Sequence, residues 1–252
     1  MIAALAGALA IGLSLGLLGS GGSILTVPVL HYLLGQPDKV AIAGSLLVVG
    51  IVAAAGSVPY ALRRQVDWTN VGWFGLPGMA GAWIGATLAH WIPGPLQLAT
   101  FATVMLAAAW RMLATPSAQP ALSPRRAAVV GGGAAVGLLS GIVGVGGGFL
   151  IVPALVLLAG VPISAAVGTS LAVIALNSAA GFARSVAVLQ AAGLHLDYAV
   201  LASVAAVGVI GSQAGQRLGR RLPQATLRKL FGGFLVLMAA FIAVDVAPRL
   251  LG

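Results

Sequence analysis

The chain has no cysteine and no glutamate, and only 7% of its 252 residues are charged. Without cysteine there are no disulfides, no thiol chemistry, no Fe–S clusters and no cysteine-based zinc sites. Its four acidic residues are aspartates at 38, 67, 197 and 245. That leaves no HExxH motif and no mid-span carboxylate pair, so nucleophilic and metal-assisted catalysis lack their parts. A soluble domain carries roughly 25% charged residues, so this chain cannot build a solvated surface of its own.

What fills the chain is apolar: 60% of residues are hydrophobic, and the mean hydropathy is +1.08. Several runs of about 20 apolar residues read as membrane spans. The expected fold is all-α, a polytopic helical membrane protein. The net charge of +9 does not point to nucleic acid, because the basic residues sit in short loops beside apolar spans, where they orient a membrane protein. The first basic residue is Lys39, so no cleavable signal peptide is expected.

The segment GLLGSGGSILTVPVL at 16–30 returns 125 residues later as GIVGVGGGFLIVPAL at 141–155. Gly16, Gly19, Gly21, Gly22, Leu25, Val27, Pro28 and Leu30 meet identical partners at Gly141, Gly144, Gly146, Gly147, Leu150, Val152, Pro153 and Leu155. The match continues through Gly35/Gly160, Pro37/Pro162, Ser45/Ser170 and Leu46/Leu171. With a shift of 130, Asp67 meets Asp197, while Gly78, Gly81 and Gly85 meet Gly208, Gly211 and Gly215. The chain therefore reads as a first repeat at 1–115, a cytoplasmic linker at 116–127 and a second repeat at 128–252.

Uninterrupted spans are expected near 41–62, 70–91, 96–113, 165–187, 198–216 and 227–247. The repeat openings, 2–35 and 128–160, are broken by glycine and predict a helical hairpin in each half, turning at Gly19–Ser23 and Gly144–Gly148. Alternation from a cytoplasmic Arg63/Arg64 puts ten basic residues inside and leaves three, Lys39, Arg184 and Arg249, outside. The positive-inside rule selects this orientation. It makes the two halves inverted in topology, with both termini outside. The spacings Gly81-x-x-x-Gly85 and Gly211-x-x-x-Gly215-x-x-x-Gly219 read as helix packing.

The doubled G-x-x-G-x-G-G…P pattern resembles that of the sulfite exporter TauE/SafE family, also called the four-toluene sulfonate uptake family. The resemblance covers essentially the whole chain, including the proline after each cluster, Pro28 and Pro153. It implies secondary transport of a small sulfur-containing anion (sulfite, sulfonate or sulfoacetate) across the bacterial inner membrane. No cofactor is implied. One departure is that the first cluster reads GSGGS where the second reads GVGGG.

A glycine turn ahead of a short helix exposes backbone N–H groups and about half a positive charge. Such ends suit an anion, and inverted symmetry is expected to bring two together near the midplane. The candidate substrate-binding residues are Ser20, Gly21, Gly22, Ser23 and Ser45 in the first half, and Gly146, Gly147, Gly148, Thr169, Ser170 and Asn177 in the second. Thr26 and Ser178 are further donors nearby. Bland readings compete: each hydroxyl can bond a carbonyl one turn back, and the glycines can serve turns and packing alone. Asp67 and Asp197 read as N-caps, Arg184 as a residue snorkelling to the outer surface and His31 as a satisfied core histidine. Trp68, Trp73, Trp91 and Trp110 read as interfacial anchors.

The partners expected are a small anion and the lipid bilayer, with homo-oligomer formation left open. A passive anion channel, or a carrier of another small organic anion, is the alternative. GVGGG also resembles part of a dinucleotide loop, but no alternating strand–helix pattern surrounds it. The orientation is directly testable in this cysteine-free chain. In intact cells, Gln190→Cys should react with a membrane-impermeant maleimide and Ser117→Cys should not. The opposite labelling pattern overturns the inverted topology.

Overall fold

Prolines and glycines decide where the helices begin, widen and stop. The computed structural model describes residues 2–19, 22–114, 126–143, 148–161 and 163–219, with scattered positions from 226 to 246. Ser20, Gly21, Gly144, Gly146, Gly147, Asp245, most of the linker and much of the last expected span lie outside the described residues. The first half holds α1 (Ile2–Leu18), α2 (Gly22–Pro28), α3 (Asp38–Leu62), α4 (Trp68–Asn70), α5 (Leu76–Leu88) and α6 (Gly94–Ala114). The second holds α7 (Arg126–Val143), α8 (Gly148–Leu158), α9 (Ile163–Ala191) and α10 (Tyr198–Gly219). No strand occurs among the described residues.

Helix α2 runs on into a π turn at Val29–Leu33, directly after Pro28, which has no N–H to donate. A second π turn, Val71–Gly75, joins α4 to α5. There Pro77 has no N–H to offer the Trp73 carbonyl, four residues back. Asp67 and Asp197 are N-caps, as expected: Asp67 accepts from the Asn70 N–H at 3.1 Å, and Asp197 accepts from Ala199 at 3.0 Å. Helix α3 ends where Arg64 takes φ +56°, and the Gln65 N–H closes onto the Tyr60 carbonyl at 2.9 Å.

The halves repeat their contacts at the sequence offsets. Gly35 and Gly160 both have φ +65°, a conformation that any side chain would strain. Each allows the same closure: Gln36 N–H to the Leu30 carbonyl at 3.1 Å, and Val161 N–H to the Leu155 carbonyl at 3.1 Å. A β-carbon on Gly7 would stand 3.2 Å from Leu33, and one on Gly132 would overlap Leu158. Gly22 faces Ile11 and Leu15 while Gly7 faces Val29 and Leu33, so the chain doubles back after α1.

The main seams join one half to the other. A methyl group on Gly12 or Gly16 of α1 would overlap the Gly208 or Ser212 carbonyl of α10. From the other side, Gly215 of α10 meets the Leu13 carbonyl. Helices α5 and α7 repeat this pattern: Gly137 meets the Gly78 carbonyl, Gly141 that of Ala82, Gly81 that of Ala134 and Gly85 that of Leu138. Both seams run parallel, since residue numbers rise together. Helices α3 and α9 form the central pair and run antiparallel, with Leu46 opposite Gly181, Ser178 opposite Gly50 and Leu171 opposite Gly56. The largest buried apolar cluster gathers on this pair, with Val48, Val49, Val52, Leu171, Val173 and Ile174 among its members.

Four described helices are long and apolar enough to cross a membrane: Asp38–Leu62, Arg126–Val143, Ala165–Ala191 and Tyr198–Gly219. Trp68, Trp91 and Trp110 are well exposed near helix ends. The glycine seams set a sharp expectation. Gly137→Val and Gly12→Val should each prevent folding or lower the detergent melting temperature by many degrees. Gly131, where an added β-carbon would meet nothing within 4 Å, should accept Ala with unchanged or slightly higher stability, since Ala gains up to about 1 kcal/mol of helix propensity. Equal tolerance at all three positions would remove the seams as the basis of assembly.

Candidate functional site

In a chain this apolar, buried hydrogen-bonding groups without partners carry the most information, because each one left unsatisfied costs about 1–3 kcal/mol. The buried polar residues include Ser23, Thr26, Ser45, Ser140, Thr169, Ser170, Asn177, Ser178, Ser212 and Gln216. They fall into two sets.

In the first set the hydroxyls are tied to backbone. Ser45 donates to the Ile42 carbonyl at 2.7 Å, and Thr26 to that of Gly22 at 3.0 Å. Thr169 donates to Ala165 at 2.7 Å and accepts from the Asp67 N–H at 2.9 Å, which fastens the loop after α3 onto α9. Ser170 lies within bonding distance of two carbonyls, Val167 at 2.8 Å and Gly19 at 3.0 Å. The second bond pins the break after α1 to α9. Gly22 packs so closely on α1 that a side chain would strike the Ile11 carbonyl. Gly148 begins α8 and is buried, as is Ser23.

In the second set the polar atoms are stranded. Asn177 is fully buried, and neither its Oδ1 nor its Nδ2 has a hydrogen-bond partner. Its amide lies over Gly78 of α5, where a β-carbon would stand 2.7 Å from Oδ1 and 2.9 Å from Nδ2. The Ser178 hydroxyl beside it is also unpartnered, and its Cβ would be 3.2 Å from one on Gly50. Further along, Ser212 Oγ and Gln216 Oε1 are buried without partners, and Gln216 Nε2 donates to the Gly56 carbonyl at 2.9 Å. Ser140 Oγ on α7 is likewise unpartnered.

The described ends of α1 and α7 pack at different levels along α3, while Ser20, Gly21, Gly144, Gly146 and Gly147, expected to come together near the midplane, lie outside the described residues. The end of α1 packs at Ser212, which is opposite Gly56; the end of α7 packs at Ala82, which is opposite Gly181 and so level with Leu46. Ten residues of α3 separate Leu46 from Gly56, roughly 15 Å of helix. Ser178, opposite Gly50, and its neighbour Asn177 lie between these two levels. Among the described residues no group of His, Cys, Asp or Glu could hold a metal ion.

Two outlying residues have definite partners. His31 Nδ1 is 2.9 Å from the Gln36 carbonyl and 3.1 Å from Asp38 Oδ1, which is the satisfied state expected of it. Arg184 does more than reach for the surface: its Nε donates to Thr87 Oγ1 at 2.9 Å and ties α9 to α5.

Sequence reasoning passed over Ser140, Ser212 and Gln216. The signal was present in the 130-residue register, where Ser212 and Gln216 replace Ala82 and Ala86. The seat of Asn177 over Gly78 is matched, at the offsets of 125 and 130, by Val52 over Gly208.

Long apolar helices, locked by backbone contact around buried polar groups, define a helical membrane protein. A family model described as Sulfite exporter TauE/SafE matches residues 4–242. A probable membrane transporter protein of Xylella fastidiosa strain Temecula1 is 31% identical over 242 residues, covering 92% of this chain and 90% of that relative. A probable membrane transporter protein of Methanocaldococcus jannaschii is 26% identical over 248 residues, covering 92% of each. The chain belongs to the sulfite exporter TauE/SafE family, and it is a membrane transporter rather than an enzyme.

The Val52 match yields a test. Asn177→Val should fold with equal or higher thermal stability, because it replaces a stranded amide with the residue that fills the equivalent seat. Transport should fall by at least tenfold. A variant that melts much earlier, or transports normally, would make Asn177 a structural residue.

Proposed function

We propose that the protein is a secondary transporter that carries a small sulfur-containing anion, of the sulfite, sulfonate or sulfoacetate type, across the bacterial inner membrane by alternating access. The observation that carries this reading is the stranded Asn177 amide, buried between the two helix breaks on the central pair α3 and α9. An anion stripped of water needs fixed donors in its place, and the amide offers two N–H bonds without breaking an existing one. The Ser178 hydroxyl can add a third. Ser45, Thr169 and Ser170, with the glycine clusters at Ser20–Ser23 and Gly146–Gly148, are assigned to the same anion path in this proposal.

Inverted topology is part of the proposal. Each half opens with a re-entrant hairpin, and the two halves insert with opposite orientation. This reading is supported by the antiparallel course of α3 and its repeat counterpart α9, and by the parallel seams α1–α10 and α5–α7. Rocking one half against the other around a fixed centre is how such repeats alternate access.

In proteoliposomes, uptake of radiolabelled sulfite or a short sulfonate should be saturable, and unlabelled anion inside should accelerate it. Lysine and choline should neither enter nor compete. Flux that is linear in concentration and lacks counterflow would replace the carrier with an anion channel. Absence of any anion flux would overturn the reading.

A further inference from the structure

We propose that Ser212 and Gln216 of α10, facing Gly56 of α3, form a sodium-ion site distinct from the anion centre. The proposal rests on the transporter reading. The first observation is the pair of stranded atoms: Ser212 Oγ and Gln216 Oε1 are buried without partners. A β-carbon on Gly56 would stand 3.0 Å from Ser212 Oγ and 3.3 Å from Gln216 Nε2, so both side chains converge on one turn of α3. The Gln216 amide is oriented, because its Nε2 donates to the Gly56 carbonyl at 2.9 Å. The free atom is therefore the oxygen, which can only accept. Such an atom calls for a cation or a donor, not for an oxyanion.

The second observation is what stands at the equivalent positions. Ser212 and Gln216 correspond at the 130-residue offset to Ala82 and Ala86. Ala82 faces Gly181 as Ser212 faces Gly56, and Leu46 flanks one glycine as Leu171 flanks the other. The same seat thus packs with methyl groups in one half, so packing does not require the polar atoms in the other. On α9, one residue before Leu171, Ser170 Oγ is committed to the Gly19 and Val167 carbonyls. Neutral side-chain oxygens and carbonyls are the donor set of a hard monovalent cation in a membrane interior.

The site lies about six residues of helix from Asn177, measured as Gly50 to Gly56 along α3, or roughly 9 Å. At that distance, with an effective dielectric near 20, opposite unit charges favour each other by about an order of magnitude in affinity. By reciprocity, sodium would strengthen anion binding and the anion would strengthen sodium binding by the same factor.

The test uses the purified full-length protein with chloride salts of sodium, potassium and choline at equal ionic strength. Equilibrium dialysis with radioactive sodium and thermal melting are read without any sulfur anion. Saturable sodium binding and a sodium-selective rise in melting temperature are expected. Ser212→Ala and Gln216→Met should abolish both while the sodium-free melt stays unchanged or rises. Gln216→Glu should tighten sodium binding several-fold at pH 8, an effect that packing alone would not give. Ser57→Ala, whose hydroxyl bonds its own helix at the Ala54 carbonyl, should behave as the parent. Indistinguishable melts in the three salts, or a sodium response that survives Ser212→Ala and Gln216→Met, overturns the site. Anion counterflow in sodium-free medium separates the outcomes: if it persists without sodium binding, only the sodium site fails and the carrier reading stands.

Discussion

Everything in this molecule depends on helix backbones that touch. Lipid is as apolar as leucine, so no hydrophobic force drives one span onto another inside a bilayer. What remains is dispersion over closely fitted surfaces, and the fit is best where side chains are absent. Along α1–α10 and α5–α7 the glycines alternate sides, each accepting the other helix's carbonyls where a β-carbon would stand. These seams join the opening helix of one half to the third span of the other. The first half cannot close its own surface without the second, so the two copies form one body around α3 and α9.

That arrangement frees the interior from an ordinary demand. In a water-soluble core, a stranded amide is opposed by the need to retain net stability of only about 5–15 kcal/mol. Here Asn177, Ser178, Ser212, Gln216 and Ser140 all carry unpartnered atoms, at about 1–3 kcal/mol apiece. The sum is on the order of a whole domain's stability. The seams and the apolar core must offset it, and a ligand that satisfies these atoms would return much of it. On the proposed reading this is how solute binding gains its driving force: an anion at Asn177 and Ser178 meets polar atoms that no protein group already occupies.

Much of this was legible in the sequence because repetition leaves a plain record. Gly35 and Gly160, matched in the repeat, prove to make the same helix closure in both halves, and the x-x-x spacing of Gly81/Gly85 and Gly211/Gly215 marked the seams. Asp67 and Asp197 read as caps and are caps. What identity between the halves could not reveal was polarity present in only one of them. Ser45 and Ser170 drew attention because they match, yet each bonds a carbonyl of its own helix. Ser212 and Gln216 escaped notice because their counterparts are alanines. The partners of the opening helices were also hidden. Apolar length tells how far a segment could run, whereas its level is set by the helix it packs on, here α10 for α1 and α5 for α7.

Symmetry and function therefore pull in different directions in this chain. A fold made of two equal halves is stable when equivalent seats are filled alike, as Gly56 with Leu171 and Gly181 with Leu46 are. A carrier with a directional task gains from breaking that equality at a few buried seats. Val52 and Asn177 differ by a hydrocarbon against an amide of similar girth, so one seat can be polar without disturbing the shape of the other. The same holds for Ala82 against Ser212. The replacements at Asn177 and Ser212 lie on α9 and α10 and rest on the glycine surfaces of α5 and α3, while Gln36 and Gln97 leave unpartnered buried oxygens in the first half as well. On the proposed reading α9 and α10 carry the solute contacts, and the apolar residues at the same repeat positions serve as their internal control.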